Sequence, residues 1–214
     1  MKEQYFTKEN IIEISKQIKT ESATYNKYAG MPVLSDKSAL LVLDMQNYFL
    51  LETSHAFIPS ANAILSQINH LIKYFENKSR PIFFSQHWNN LQNSMQMSKK
   101  WNSLLEKDDL YFNIHKHFDL NNKIIFEKNQ FDAFYDTIFE SELRKNNIEQ
   151  IVFCGVMTHL CCETTVRSAF VRGFEPIFPI DTTATYNITL HKNTFINLSH
   201  GFITPLLSEE LLIG

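Results

Sequence analysis

Continuous apolar runs and helically spaced apolar positions alternate along the middle of the chain. Residues 39–43 are all apolar and end at Asp44, as expected for a central parallel strand whose carboxyl end opens on a ligand crevice. Residues 59–76 carry apolar side chains at steps of three and four, which predicts a helix. A second apolar run at 81–86 predicts the next strand. The order strand, helix, strand is that of a β-α-β unit.

The same alternation continues towards the C-terminal end. Predicted strands cover residues 123–128, 150–154, 175–180 and 201–204, and predicted helices cover 136–146, 163–172, 191–199 and 208–212. Strands that alternate with helices over the whole length predict an α/β fold with three layers, α/β/α. The specific expectation is a Rossmann-like, six-stranded parallel sheet with helices on both faces.

Two segments lie outside this alternation. Residues 7–19 have a helical pattern, so residues 1–38 are predicted to form an N-terminal helical arm before a domain at 39–214. Residues 88–118 are polar, aromatic-rich and weakly periodic, which predicts an irregular excursion with at most a short helix near 99–105. Such excursions often shape a pocket. Its aromatic residues are candidates to enclose a flat or apolar substrate: Trp88, Trp101, Tyr111, Phe112 and Phe118.

Composition and charge argue against several classes of function. The chain has 214 residues, of which 44% are hydrophobic, enough for one domain with a full core. A formal charge of −3 and scattered Lys and Arg residues predict no nucleic-acid partner. No apolar run is long enough to span a bilayer and the first residues lack an apolar leader, so no membrane association and a cytoplasmic location are expected.

All three cysteines of the chain lie within residues 151–162. Cys154, Cys161 and Cys162 are odd in number and lack the spacing of a zinc site, which predicts reduced thiols. The segment has the pattern of a buried strand that breaks at Gly155 and carries a thiol onto the first turn of a helix. Thr158 is then a candidate N-cap. Unpaired amides and the positive dipole end of a helix favour a thiolate and can hold a developing oxyanion.

Three candidate reactive groups follow predicted strands. Asp44 comes after the first strand, Lys128 after the third, and Cys161 just beyond the fourth. Since a parallel sheet brings such ends together, we expect these side chains to meet. A carboxylate can accept the thiol proton, an ammonium can stabilise the negative groups, and a thiolate can attack a carbonyl. Each taken singly has a plainer explanation, as a turn residue, a solvated charge or a small buried hydrophobe.

These residues resemble the isochorismatase-like cysteine hydrolases, over roughly residues 39–212. The matching motifs are Leu-Val-Leu-Asp-Met-Gln-Asn-Tyr-Phe ending at Phe49, Glu-Lys-Asn-Gln-Phe-Asp-Ala-Phe from Glu127, and Gly-Val-Met-Thr-His-Leu-Cys ending at Cys161. The resemblance implies that Asp44 is the general base, Lys128 the charge-stabilising residue and Cys161 the nucleophile. It also implies an oxyanion hole from the backbone amides of Met157 and Cys161, a cis peptide between Val156 and Met157, and a homodimer or homotetramer.

The motif also selects between two adjacent cysteines, because its count ends at Cys161 and leaves Cys162 as a packing residue. By resemblance, true isochorismatases carry glycine at the nucleophile position. The thiol therefore favours hydrolysis of a small amide, carbamoyl or related C–N carbonyl compound through a thioester. Other features, His159 among them, resemble the isochorismatase branch. One alternative is thus isochorismatase activity, with Asp44 as an acid on a vinyl ether, and another is a catalytically silent binding or assembly partner.

Metal ligation is not expected. The resemblance implies an Asp-Trp-His segment in metal-dependent nicotinamidases, and the matching residues are His87, Trp88 and Asn89. Because one or two imidazoles do not make a strong zinc site, we predict no catalytic metal and no cofactor, which disfavours nicotinamidase activity.

Substrate contacts are predicted within or beside the matching motifs. The candidates are Phe49, His87, Trp88, Phe134 and Thr158. Asp181 follows the predicted fifth strand and, by resemblance, supports the site without reacting. The expected partner is a small-molecule substrate.

Overall fold

A parallel sheet forms the centre of the computed structural model, which describes residues 1–27, 30–101 and 103–212. Its strands are β1 (Ser38–Leu43), β2 (Ile82–His87), β3 (Ile124–Lys128), β4 (Gln150–Val156), β5 (Glu175–Ile177) and β6 (Thr183–Ala184). The order is β3-β2-β1-β4-β5, and β6 pairs with the end of β4. Since every pairing is parallel, the carboxyl ends of the strands lie together at one end of the sheet.

Helices cover both faces of this sheet. They are α1 (Ile11–Ala23), α2 (Asn47–Leu50), α3 (Leu65–Asn77), α4 (Met97–Lys100), α5 (Phe139–Lys145), α6 (Glu163–Val171), α7 (Ile188–Ser199) and α8 (Ser208–Leu212). Successive side chains of β1 enter different cores, because neighbouring strand residues point to opposite faces. Leu40 and Val42 pack with α3, whereas Leu41 and Leu43 pack with α5, α6 and α7. The predicted three-layer α/β/α fold is confirmed.

The sixth strand lies elsewhere than predicted. Residues 201–204 form a turn and an extended segment outside the sheet, and their apolar character serves packing, since Ile203 is buried in the core. The strand is instead Thr183–Ala184, which pairs with Gly155 and Val156. Two residues after a short 3₁₀ turn are too few for an alternating pattern to show.

The N-terminal residues contribute to the same core as the sheet. Helix α1 contacts α7, and Phe6 and Ile11 are fully buried in the cluster that contains Leu40 and Val42. The predicted arm is thus packed onto the rest of the domain. Across the described ranges, no helix is both long and apolar enough to cross a membrane.

Candidate active site

The structure brings the three predicted reactive side chains together. Lys128 Nζ lies 2.8 Å from Oδ2 of Asp44 in an ion pair and 3.3 Å from Sγ of Cys161. Asp44 directly follows β1, Lys128 ends β3, and Cys161 lies on the turn after β4. All three are buried. Three groups far apart in the sequence therefore form one cluster at the carboxyl end of the sheet.

The Lys128 ammonium is fully partnered in spite of its burial. The ammonium donates hydrogen bonds to Sγ of Cys161 and, at 3.0 Å, to the carbonyl oxygen of Gln130, and its ion pair with Asp44 is the third contact. Burial lowers the pKa of Lys128, but the charges of Asp44 and Cys161 and their hydrogen bonds outweigh it and raise the pKa above its usual value. The site therefore contains a permanent positive charge between a carboxylate and a thiol.

Ser85 positions the carboxylate. Its hydroxyl donates to Oδ1 of Asp44 at 2.6 Å and accepts the backbone N–H of Asp44 at 3.1 Å. Asp44 has a φ of 51°, in the left-handed region that aspartate tolerates better than most residues. Ser85 was not among the predicted site residues, although a single serine within the apolar run at 81–86 was a signal for it.

Cys161 lies on a π-helical turn, Thr158–Cys162, that leads into α6. Burial raises the pKa of its thiol to about 12, against the lowering effect of Lys128 and with a further increase from Asp44. The expectation that the helix start favours a thiolate is therefore corrected, because desolvation is the larger effect. A thiol whose pKa is raised in this way needs a base to activate it.

We expect the raised pKa to appear in the alkylation of Cys161 by iodoacetamide. Because the reactive thiolate fraction rises about tenfold per pH unit below the pKa, the rate should increase without a plateau from about pH 7 to about pH 9.5. Peptide mass analysis would separate Cys161 from Cys154 and Cys162, and circular dichroism would confirm that the fold persists. A plateau below about pH 8 would contradict this prediction and indicate a preformed thiolate.

Gly155 allows β1 and β4 to approach closely beneath the cluster. It pairs with Leu43 and has a φ of 108°. A Cβ atom at this position would lie 2.1 Å from the backbone oxygen of Leu43, a distance that no packing adjustment of a side chain can relieve. The glycine therefore sets the spacing between the strand before Asp44 and the strand before Cys161. The following peptide, between Val156 and Met157, is cis, in agreement with the resemblance.

A cavity of about 220 Å³ opens beside Cys161 and Met157. The described aromatic residues on its wall are Tyr48, Phe49, Trp101, Phe131 and Tyr186. Polar groups come from His55, His87, Asn89 and Ser103. No Lys, Arg, Asp or Glu is among the described lining residues. The cavity is thus small, largely apolar and aromatic, with a few neutral polar groups.

Two of the five predicted substrate contacts, Phe49 and His87, line this cavity. Burial lowers the pKa of His87 to about 4, with a further contribution from the positive charge of Lys128. His87 is therefore neutral at pH 7, when one ring nitrogen donates and the other accepts. Trp101 in the irregular excursion also reaches the wall, and Met97, from the short helix α4, lies there too.

Trp88 and Phe134 do not line the cavity, and their predicted substrate contact is corrected. Trp88 follows His87, so its side chain points the opposite way and donates to the Glu127 carboxylate at 2.9 Å. Phe134 packs between Phe139 and Phe174 in the core on the α5 and α6 side of the sheet. Phe131, three residues earlier, faces the cavity in its place.

Thr158 is neither a cavity residue nor a helix cap. Its hydroxyl lies 2.9 Å from that of Thr183 and 3.2 Å from Nδ1 of His191, in the interior behind the turn. The residue before the turn, Met157, occupies the cap position without a side-chain bond. Thr158 therefore fastens the turn to β6 and α7.

Asp181 supports a different part of the fold from the one expected. Its carboxylate accepts the backbone N–H of Ser208 at 2.8 Å and the hydroxyl of Ser208 at 2.6 Å. Burial raises the pKa of Asp181, against the lowering effect of these two bonds. It anchors the start of α8, and no hydrogen bond or ion pair described for it reaches Asp44, Lys128 or Cys161.

The donors near the cavity do not fit a catalytic metal. His55 Nε2 is bonded to the hydroxyl of Tyr48 at 2.9 Å, and Asn89 donates its amide to the carbonyl of Asn129 at 2.8 Å. His87 is the remaining imidazole. Within the described residues, no three His, Cys, Asp or Glu side chains are grouped to hold an ion.

Comparison with known proteins identifies the family. A family model described as the isochorismatase domain matches residues 38–210. Nicotinamidase 3 of Arabidopsis thaliana is 34% identical over 77% of this chain and 82% of its own length. A cysteine hydrolase from Pseudomonas syringae pv. phaseolicola superposes with a TM-score of 0.77 at 19% identity, covering 86% of this chain and 97% of that chain.

A second solved structure has the same fold. N-carbamoylsarcosine amidase from Thermoplasma acidophilum superposes with a TM-score of 0.70 at 22% identity, covering 81% of this chain and 97% of that chain. The family model and the relative in Arabidopsis agree with the strand-end motifs around Asp44, Lys128 and Cys161. The chain therefore belongs to the isochorismatase family and is a hydrolase.

Proposed function

We propose that this chain hydrolyses the C–N bond of a small, uncharged amide, with Cys161 as the nucleophile. The observation that carries the proposal is the position of Lys128 Nζ, in contact with both Asp44 Oδ2 and Cys161 Sγ beside the cavity. An ammonium in this place stabilises the carboxylate before proton transfer and the thiolate after it. The same arrangement has no evident purpose in a protein that only binds a partner.

The reaction begins with proton transfer from the Cys161 thiol to Asp44, as the sulfur attacks the amide carbonyl carbon. This base is required because burial raises the pKa of the thiol to about 12. The negative charge moves to the carbonyl oxygen, which the backbone amides of Met157 and Cys161 hold in our proposal. Collapse of this intermediate breaks the C–N bond, and Asp44 returns its proton to the departing nitrogen.

The second half of the reaction restores the thiol. Asp44 takes a proton from a water molecule, whose oxygen attacks the thioester carbonyl. The C–S bond then breaks, the carboxylic acid leaves, and the sulfur recovers the proton from Asp44. Lys128 keeps its proton throughout, because the neighbouring negative groups raise its pKa.

Cavity size and charge restrict the substrate. A volume of about 220 Å³ lies below the roughly 300–1,000 Å³ of sites for drug-sized ligands. The described lining residues include no cation, and Lys128 is already paired with Asp44. A dicarboxylate such as isochorismate would therefore lack a counter-charge, whereas a flat neutral amide matches the aromatic wall. The name of the similar nicotinamidase is consistent with this class, since nicotinamide is a flat neutral amide.

Detection of an acyl-enzyme tests the proposal directly. The protein would be mixed with nicotinamide, benzamide, N-carbamoylsarcosine or isochorismate, quenched in acid, and measured by intact mass. We expect ammonia release from at least one amide and an adduct on Cys161 equal in mass to the substrate less ammonia, since a thioester accumulates when its hydrolysis is the slower step. Turnover of isochorismate alone, without an adduct, would support the vinyl ether alternative.

A further inference from the structure

The N-terminal residues 1–6 lie against residues 185–188, which are the link between β6 and α7 and the first residue of α7. Tyr186, in the middle of that stretch, lines the cavity. Four hydrogen bonds join the two stretches. On the N-terminal side they involve the carbonyl oxygen of Met1, the backbone N–H and the carboxylate of Glu3, and the hydroxyl of Tyr5. Residues that precede the family-matched range 38–210 therefore contact Tyr186, a residue of the cavity wall.

The inner end of this segment is anchored in the interior. The backbone amides of Tyr5 and Phe6 both donate to the buried hydroxyl of Ser60, at 3.0 and 3.1 Å, and Phe6 is fully buried. The Tyr5 hydroxyl accepts the backbone N–H of Thr185 at 2.9 Å. Its single proton is then left for Nδ1 of His191, 3.0 Å away. Tyr5 and Phe6 therefore fix the position of the segment next to residues 185–188.

Lys2 and Glu3, at the outer end of this segment, contact Tyr186 and His55 in the cavity wall. Glu3 donates its backbone N–H to the carbonyl of Tyr186 at 2.8 Å, and its carboxylate accepts the N–H of Ile188 at 2.6 Å. The ammonium of Lys2 lies 4.5 Å from the ring centre of Tyr186 and also donates to the carbonyl oxygen of His55. Since His55 lines the cavity as well, Lys2 joins two parts of its wall that are distant in the sequence.

We propose that Lys2 and Glu3 are positioning residues of the active site, which hold Tyr186 and His55 in the cavity wall and so set the affinity for substrate. The inference rests on the proposed function for the identity of that substrate. Neither residue bonds to the cluster of Asp44, Lys128 and Cys161. Their loss should therefore weaken substrate binding and leave the chemical step intact.

The test compares two double variants with the same change of charge. Lys2→Ala/Glu3→Ala removes the side-chain contacts with Tyr186, Ile188 and His55, and it keeps the backbone bond from residue 3 to the Tyr186 carbonyl. Lys8→Ala/Glu9→Ala is the matched control, since this exposed Lys-Glu pair lies in the same region of the chain. With the best amide substrate, we expect KM to rise about three- to tenfold in the first variant, with kcat within about twofold, and no change in the control.

A second measurement does not depend on amide hydrolysis. Loosening the wall should make backbone hydrogen exchange at Thr185–Ile188 faster, and should make alkylation of Cys161 by iodoacetamide at least about threefold faster. If the wild-type chain hydrolyses no amide, the proposed function fails and the alkylation rate decides the present inference. Equal KM values in the two double variants, or equal alkylation rates when no amide is hydrolysed, would overturn it, as would a fall in kcat at constant KM.

Discussion

Replacement of Cys161 by alanine should lower amide hydrolysis by at least about 10⁴-fold, because the covalent route through a thioester is lost. The fold should persist, since the side chain is small and lies beside a cavity. The matched control is Cys162→Ala, one residue further along the same turn. Cys162 is fully buried away from Lys128, and the hydroxyl of Thr183 is 3.7 Å from its sulfur. This control should keep activity within about tenfold of the wild type, with a modest packing loss.

Each departure from this result points to a different function. Equal loss in both variants would show that the turn, not the Cys161 sulfur, is sensitive to substitution. Isochorismate hydrolysis that survives Cys161→Ala would support the alternative in which Asp44 acts as an acid. A wild-type protein without activity on any compound would favour the silent binding partner. Slow alkylation at neutral pH would not support that alternative, because the raised pKa of Cys161 predicts it in an active enzyme too.

Replacement of Lys128 by methionine should both abolish turnover and lower the free energy of unfolding by about 3–5 kcal/mol. Methionine preserves much of the side-chain volume but leaves the Asp44 carboxylate buried without its counter-charge. Urea unfolding measures the loss of stability. The control is Lys37→Met, which breaks the exposed ion pair with Glu149 and should change the free energy of unfolding by no more than about 1 kcal/mol.

A double variant separates the two consequences of removing Lys128. In Asp44→Asn/Lys128→Met no charge remains unpaired, so we expect at least about half of the lost stability to return, with activity still absent. Additive losses of stability would contradict this interpretation and indicate that each side chain acts through packing alone. Recovery of activity together with stability would contradict the proposed role of Asp44 as the base.

Strand-end placement made the reactive cluster predictable. Asp44, Lys128 and Cys161 each lie at or just beyond the end of an apolar run, and the carboxyl ends of parallel strands meet at one edge of the sheet. Phe49 and His87 were predicted from the motifs that carry the family resemblance. The positions of β1 to β5 were predicted within a few residues, because each coincides with an apolar run in the sequence.

Features that depend on contacts between distant segments were not predictable. Ser85 became a partner of Asp44 because β1 and β2 are neighbours in the sheet. Phe134 and Trp88 were wrongly placed at the cavity, since a local motif does not show which way a side chain turns after the strand ends. The two-residue β6 and the contacts of Lys2 and Glu3 with residues 185–188 leave no periodic signal at all.

The amino-acid sequence by itself determined the α/β fold and the family, and it predicted that Asp44, Lys128 and Cys161 meet, because periodicity and motif spacing are local properties of the chain. Only the tertiary structure decided how strongly burial opposes the thiolate form of Cys161 and what shape the cavity has. Helix-start amides and Lys128 both favour a thiolate, yet burial raises the pKa of the thiol to about 12, and burial is a sum over every segment that covers the site. The wall is likewise assembled from residues as distant as His55 and Tyr186, so its form exists only in the folded chain.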